Sequence, residues 1–147
     1  MKLREYRPED LREIVDLFYN TVHSVNVGDY SMEEVEAWTS GIDLERWGRM
    51  LSENYSAIAV IDGKIVGFGD IDKTNYLNLL YVHRDFQRRG IAAAICDRLE
   101  KRAEGGAIST HASITAKPFF MKRGYRVLRE QQVERQGVLL TNYVMEK

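Results

Sequence analysis

The segment Gln87-Arg88-Arg89-Gly90-Ile91-Ala92 constrains the fold more than any other, because it separates two stretches of different hydrophobic period. Before it stands the apolar run Leu79-Leu80-Tyr81-Val82. After it Ile91, Ala92, Ile95, Cys96, Leu99 and Ala103 recur on one side, with Asp97, Arg98, Glu100 and Lys101 away from them. The first pattern is a buried strand and the second an amphipathic helix, so Gly90 marks a strand-loop-helix junction. The first N–H groups of a helix have no intrahelical partner and carry the positive end of its dipole, so such a junction stabilises an anion. Gly90 and Ala92 let a ligand approach the backbone, and Arg88 and Arg89 add charge.

The remaining pattern is mixed. Residues 3 to 7 read as a short strand, followed by Pro8, Glu9 and Asp10, which suit the first turn of a helix carrying Leu11, Ile14, Val15, Phe18 and Val22. Ser31 and Glu34 make a capping box for a second helix, and Leu44, Trp47 and Leu51 mark one face of a third. From Ser56 the pattern turns to strands, Ala57 to Ile61 and Lys64 to Ile71, joined by the hairpin signal Asp62-Gly63. Further strands are expected over Tyr76 to Val82, Ala107 to Ala112, Tyr125 to Glu130 and Val138 to Met145. A helix ended by Gly105-Gly106 and a short one carrying Phe119-Phe120 lie between them. With no linker or repeat, residues 1 to 147 read as one α/β layer domain of the α+β kind.

The spacing Gln87-x-x-Gly90-x-Ala92 after a strand resembles the coenzyme A pyrophosphate loop of the GNAT superfamily of acyl-CoA N-acyltransferases. Tyr81 to Phe86 resembles that family's strand end and turn, and Phe119 to Tyr125 its last helix with the glycine-aromatic pair behind it. These three pieces, in register across roughly residues 56 to 130, resemble most the small single-domain bacterial members. The resemblance implies a twisted, mostly antiparallel sheet flanked by helices, in which the strand ending at Val82 splays from the strand near Ala107 to Ala112. It also implies acetyl-CoA as co-substrate. Leu80, Tyr81 and Val82 would pair with its pantetheine, and backbone groups from Gln87, Arg88, Arg89, Gly90, Ile91, Ala92 and Ala93 would hold its pyrophosphate. An N–H of Val82 or Tyr81 would stabilise the thioester oxygen.

This sequence departs from the family pattern where acid–base chemistry is expected. Phe120 stands where many members carry a tyrosine that protonates the leaving thiolate, and Ser113 where asparagine commonly contacts the cofactor. The run Tyr76 to Val82 holds no carboxylate for the glutamate base of other members. His23, Asn26, Asp29 and Tyr30 crowd one interhelical loop ahead of Trp38, and similar loops in a subset of bacterial members lie over the acceptor. His23 is the preferred base, since imidazole titrates near neutral pH. The same residues are also consistent with a plain turn and a helix end capped by His23. Asp70, inside an apolar run, needs a partner or a cleft, so it is a candidate for an acceptor ammonium or for a structural ion pair.

The balance of 21 basic and 22 acidic residues leaves no global field for nucleic acid or an anionic membrane. The single Cys96 rules out an internal disulfide and reads as a buried thiol, and the three histidines lack metal-ligand spacing, so no metal is expected. The absence of an apolar leader or membrane-length run predicts a cytoplasmic protein. The function expected is direct acetyl transfer from acetyl-CoA to a primary amine on a small molecule. An acyl-CoA sensing module without efficient turnover, or transfer of another short acyl group, are the alternatives. A homodimer through the last strands is expected from the family, and Asp29 and Asp70 lean toward a cationic acceptor.

Overall fold

The computed structural model describes residues 1–147. Strand β1 (Lys2–Glu5) leads through a 3₁₀ turn at Pro8–Asp10 into three helices, α1 (Leu11–Ser24), α2 (Met32–Thr39) and α3 (Leu44–Glu53). There follow β2 (Tyr55–Ile61), β3 (Lys64–Ile71), β4 (Tyr76–Val82), α4 (Ile91–Lys101), β5 (Ser109–Ser113), α5 (Lys117–Lys122), β6 (Arg126–Arg135) and β7 (Val138–Glu146). The strands form one seven-stranded sheet in the order β1-β2-β3-β4-β5-β7-β6, antiparallel except for the pair β4–β5.

Local chemistry accounts for most element boundaries. Asp62 and Gly63 both take positive φ, as a two-residue hairpin between twisted strands requires. Ser31 and Glu34 close a reciprocal capping box, and Asp43 caps α3 by accepting from the Arg46 N–H. Several boundaries shift from those expected. The first strand ends at Glu5, α4 ends at Lys101, and β5 starts at Ser109. The strand expected over Tyr125 to Glu130 runs on to Arg135, because Gln136 and Gly137, both at positive φ, make the hairpin turn. His23 lies in the last turn of α1 rather than in a loop, which leaves only a short 3₁₀ turn at Asn26–Gly28 before α2.

Two apolar clusters sandwich the sheet. One joins Ile14, Phe18, Val35 and Leu51 of the first three helices to Ile58 and Phe68 of the sheet. The other packs Ile91, Ile95 and Leu99 of α4, with Phe120 of α5, on the opposite face. Gly67 and Gly69 alternate along β3 toward α4, and a Cβ on Gly69 would stand 2.9 Å from the Leu79 carbonyl oxygen and 3.0 Å from Ile95 Cγ2. Helix α4 therefore rests on bare backbone. Burial of each large side chain there stabilises the docking by roughly 1.5–3 kcal/mol.

Pairing between β4 and β5 is confined to Tyr76 with Ser109 and Leu77 with Thr110. On the other edge of β4 the register passes from Ile71 opposite Leu77 to Asp70 opposite Leu79, which leaves Asn78 as an extra residue. Such a bulge bends its strand and raises its twist. From Asn78 onward β4 diverges from β5, and a gap opens toward the N-terminus of α4.

Candidate active site

The gap is part of a cavity of about 640 Å³. Its walls include Leu80, Tyr81 and Val82 of β4, Gln87, Arg88 and Gly90 of the loop, Ile91 to Ala93 of α4, Ser113 of β5 and Phe120 of α5. Asn26, Tyr30 and Trp38 line it as well. Three of the expected site residues stand apart from these. The Arg89 guanidinium lies over the Phe86 ring, 5.0 Å from its centroid. His23 stacks on Tyr19 with ring centroids 4.1 Å apart, and its Nε2 meets Thr39 Oγ1 at 2.9 Å. Because the Thr39 hydroxyl donates to the Val35 carbonyl, it accepts from His23, which ties α1 to α2. No proton-accepting nitrogen of His23 lines the cavity.

Asp70 is fully buried at the β4 bulge. It accepts from Asn54 Nδ2 at 2.9 Å, Asn78 Nδ2 at 3.1 Å and the Leu79 N–H at 2.9 Å. Burial pushes its pKa up, and these three donors oppose the shift. Asp29 accepts from the Thr115 hydroxyl at 2.8 Å. Neither carboxylate lines the cavity, so the expected acidic surface for an acceptor ammonium is missing there. Asp72 is a turn residue, held by Thr74 and the Tyr76 N–H.

The loop entering α4 is built with its donors free. Gln87 Nε2 donates to the Val82 carbonyl at 2.7 Å, His83 Nδ1 accepts from the Asp85 N–H at 3.0 Å, and Arg88 and Gly90 both take positive φ. The first N–H of this region used by the fold is that of Ala94, which bonds to the Gly90 carbonyl. The N–H groups from Gln87 to Ala93 make no hydrogen bond within the protein. They converge at a helix N-terminus, where anions are held.

Alternation along β4 decides which backbone groups face the gap. The carbonyls of Leu79 and Tyr81 approach Gly69 and Gly67 of β3, and the His83 N–H bonds to the Val66 carbonyl. The N–H and C=O of one strand residue point to the same side, so those of Leu80 and Val82 face the gap. The Val82 carbonyl is occupied by Gln87 and by the Thr21 hydroxyl at 3.2 Å. The Tyr81 N–H is turned to β3, away from the position expected of an oxyanion donor.

The titratable side chains at the narrow end of the gap are aromatic. Tyr76 meets the His111 ring edge-on, with centroids 5.1 Å apart. His111 is partly exposed; its partial desolvation, and then Arg129, lower its pKa. Burial raises the pKa of Tyr76 and of Tyr81, whose ring packs between Phe18 and Phe68. The Tyr30 hydroxyl is already committed, donating to the Thr141 carbonyl at 2.7 Å and accepting from the Ile114 N–H at 2.9 Å. Ser113 Oγ accepts from the Ala116 N–H, and Phe120 is buried against Phe119 and Tyr125. Cys96 is buried with its thiol pKa pushed up to about 12.

Residues 26–147 match the Acetyltransferase (GNAT) domain. The N-acetyltransferase YafP of Escherichia coli (strain K12) is 33% identical over 146 residues, covering 99% of this chain and 94% of that protein. The chain belongs to the GNAT family of acetyl-CoA-dependent N-acetyltransferases. A GCN5-related N-acetyltransferase from Rhodopseudomonas palustris superposes with a TM-score of 0.95 at 34% identity, over 99% of this chain and 94% of that one. The PaiA N-acetyltransferase of Thermoplasma acidophilum, solved in complex with coenzyme A, shares the fold with a TM-score of 0.79 at 18% identity, over 99% and 97% of the two chains. The mixed sheet is thus a fold this chain shares with these proteins, and His111, Arg135 and Asn142 also line its cavity. By alternation with Ser109 and Ser113 the sequence already allows His111 to reach the wedge, although a lone histidine reads first as structural. Arg135 and Asn142 give no such signal, because only the course of β6 and β7 brings them to the cavity.

Proposed function

We propose that the cavity is the acetyl-transfer site and that its acceptor is the primary amine of a small molecule. The observation that carries this reading is the run of unclaimed N–H groups from Gln87 to Ala93, which opens on the same cavity as the gap between β4 and β5. The pyrophosphate of acetyl-CoA would take those N–H groups, with Arg88 beside them. The pantetheine would run from there toward the narrow end, pairing with Leu80 and Val82 as another strand would. Val82 lies beside the pyrophosphate loop, so the Leu80 N–H, deeper in the gap, is the better placed oxyanion donor.

The amine attacks the thioester carbon; the new N–C bond forms and the C–S bond breaks. His111 accepts the proton lost by the amine, since its lowered pKa keeps the imidazole neutral at pH 7. Phe120 has no proton to give, and the phenols of Tyr76 and Tyr81, kept protonated by burial, are the donors available to the thiolate. Titration of acetyl-CoA into the purified protein, followed by thiol release against a panel of amines, tests the reading. Saturable binding with release for at least one amine is expected; absence of acetyl-CoA binding overturns it. For assembly we propose a homodimer through the free edge of β6, where Val127 and Leu128 are exposed. A single-chain mass by light scattering at micromolar concentration overturns that.

A further inference from the structure

The β6–β7 hairpin brings two polar side chains to the cavity that the fold itself does not use. Arg135 makes no ion pair, and its one hydrogen bond goes to the neighbouring Glu134 carbonyl at 2.9 Å. It lines the same cavity as Tyr76 and Tyr81. Asn142 Oδ1 is the buried side-chain polar atom of this protein without a hydrogen-bond partner. A buried acceptor without a donor costs stability, which a bound molecule offering an N–H would relieve. The cavity wall contains no Asp, Glu or Lys, so Arg88 and Arg135 make it positive at both ends. A polyamine or an aminoglycoside would carry its extra ammonium groups into that field uncompensated. Around Arg135 and Asn142 the wall is apolar, with Trp38, Val133 and Leu140.

We propose that the acceptor is a primary amine carrying a carboxylate and an apolar body, of the amino acid class, with its carboxylate on Arg135 and an amine N–H on Asn142 Oδ1. This rests on the acetyl-transfer reading above and narrows its acceptor. An arginine fork matches a carboxylate in two parallel hydrogen bonds, which gives the contact direction as well as charge.

The test uses amine pairs that differ only in the carboxylate, phenylalanine against phenethylamine and leucine against 3-methylbutylamine, with thiol release measured at saturating acetyl-CoA. The acid of each pair is expected to have a kcat/KM at least about tenfold higher, the scale of one charge-assisted contact. Arg135→Gln is expected to erase most of that preference through KM while acetyl-CoA affinity stays unchanged. Asn142→Ala should weaken both members of a pair alike. Calorimetric titration of N-acetylphenylalanine and N-acetylphenethylamine into the coenzyme A complex reads the same preference without turnover. Equal kcat/KM values, equal product affinities including no measurable binding of either, or a preference that survives Arg135→Gln overturns the carboxylate assignment. Failure to bind acetyl-CoA instead overturns the acetyl-transfer reading, so the two failures are told apart.

Discussion

Gly90 combines two properties at one position. Its φ of +80° is one that side chains rarely adopt, and the space where a Cβ would stand is open. The openness lies beside the free N–H groups, so a side chain there would fill the place of the pyrophosphate. Gly90→Glu is expected to lower acetyl-CoA affinity by at least about a hundredfold, through steric block and like charge. The backbone strain should cost only about 1–2 kcal/mol of stability. Calorimetry and urea unfolding on the same variant separate the two effects, and undiminished affinity would remove the loop from the site. His111 gives a second test at this scale. A base must be neutral, and a pKa below the ordinary imidazole value puts the acidic limb of kcat/KM below pH 6.5. Activity should therefore fall as pH drops through that limb and be level near pH 7. His111→Gln should abolish the limb and reduce kcat about 10²–10⁴-fold. An unchanged profile would assign the base elsewhere.

At the scale of elements, the contact between α4 and β3 depends on the absence of side chains. Gly69→Ala would press a methyl against the Leu79 carbonyl and against Ile95 and Leu99. It is expected to destabilise the fold by about 1–3 kcal/mol, the usual cost of overpacking. It should also weaken acetyl-CoA binding, because the displaced helix carries the anion-binding N-terminus. A chemical melt coincident with that of the parent would contradict the packing. The same scale shows what the sequence can and cannot tell. Asp62-Gly63, the capping box of Ser31 and Glu34, and the helix after Gly90 were legible because local chemistry alone fixes them. His23 was misplaced because its partner, Thr39, lies sixteen residues on and is chosen by the packing of α1 on α2. The bulge at Asn78 was not legible because the carboxylate that holds it, Asp70, belongs to the neighbouring strand. Arg135 and Asn142 look like ordinary strand residues until the sheet order sets their hairpin beside the split.

For the whole molecule, a ligand that fills the gap should act as a stabiliser. Acetyl-CoA at a hundredfold excess over its Kd adds about 2.7 kcal/mol to the folded state. For a chain of 147 residues this corresponds to a rise in Tm of about 5–10 °C. Differential scanning calorimetry should show that rise in the parent and none in Gly90→Glu. No shift in the parent at saturating ligand would mean that the ligand does not select the native state.

The two-pair parallel contact at Tyr76 and Leu77 makes the sheet a pair of panels joined by a short seam, β1 to β4 on one side and β5, β7 and β6 on the other. Such a seam resists sliding but yields to a small change of angle. A cofactor laid along Leu80 and Val82 would act as stitching, turning the hinge into a continuous surface. The amide protons of those two residues should then exchange with solvent far more slowly in the complex than in the free enzyme.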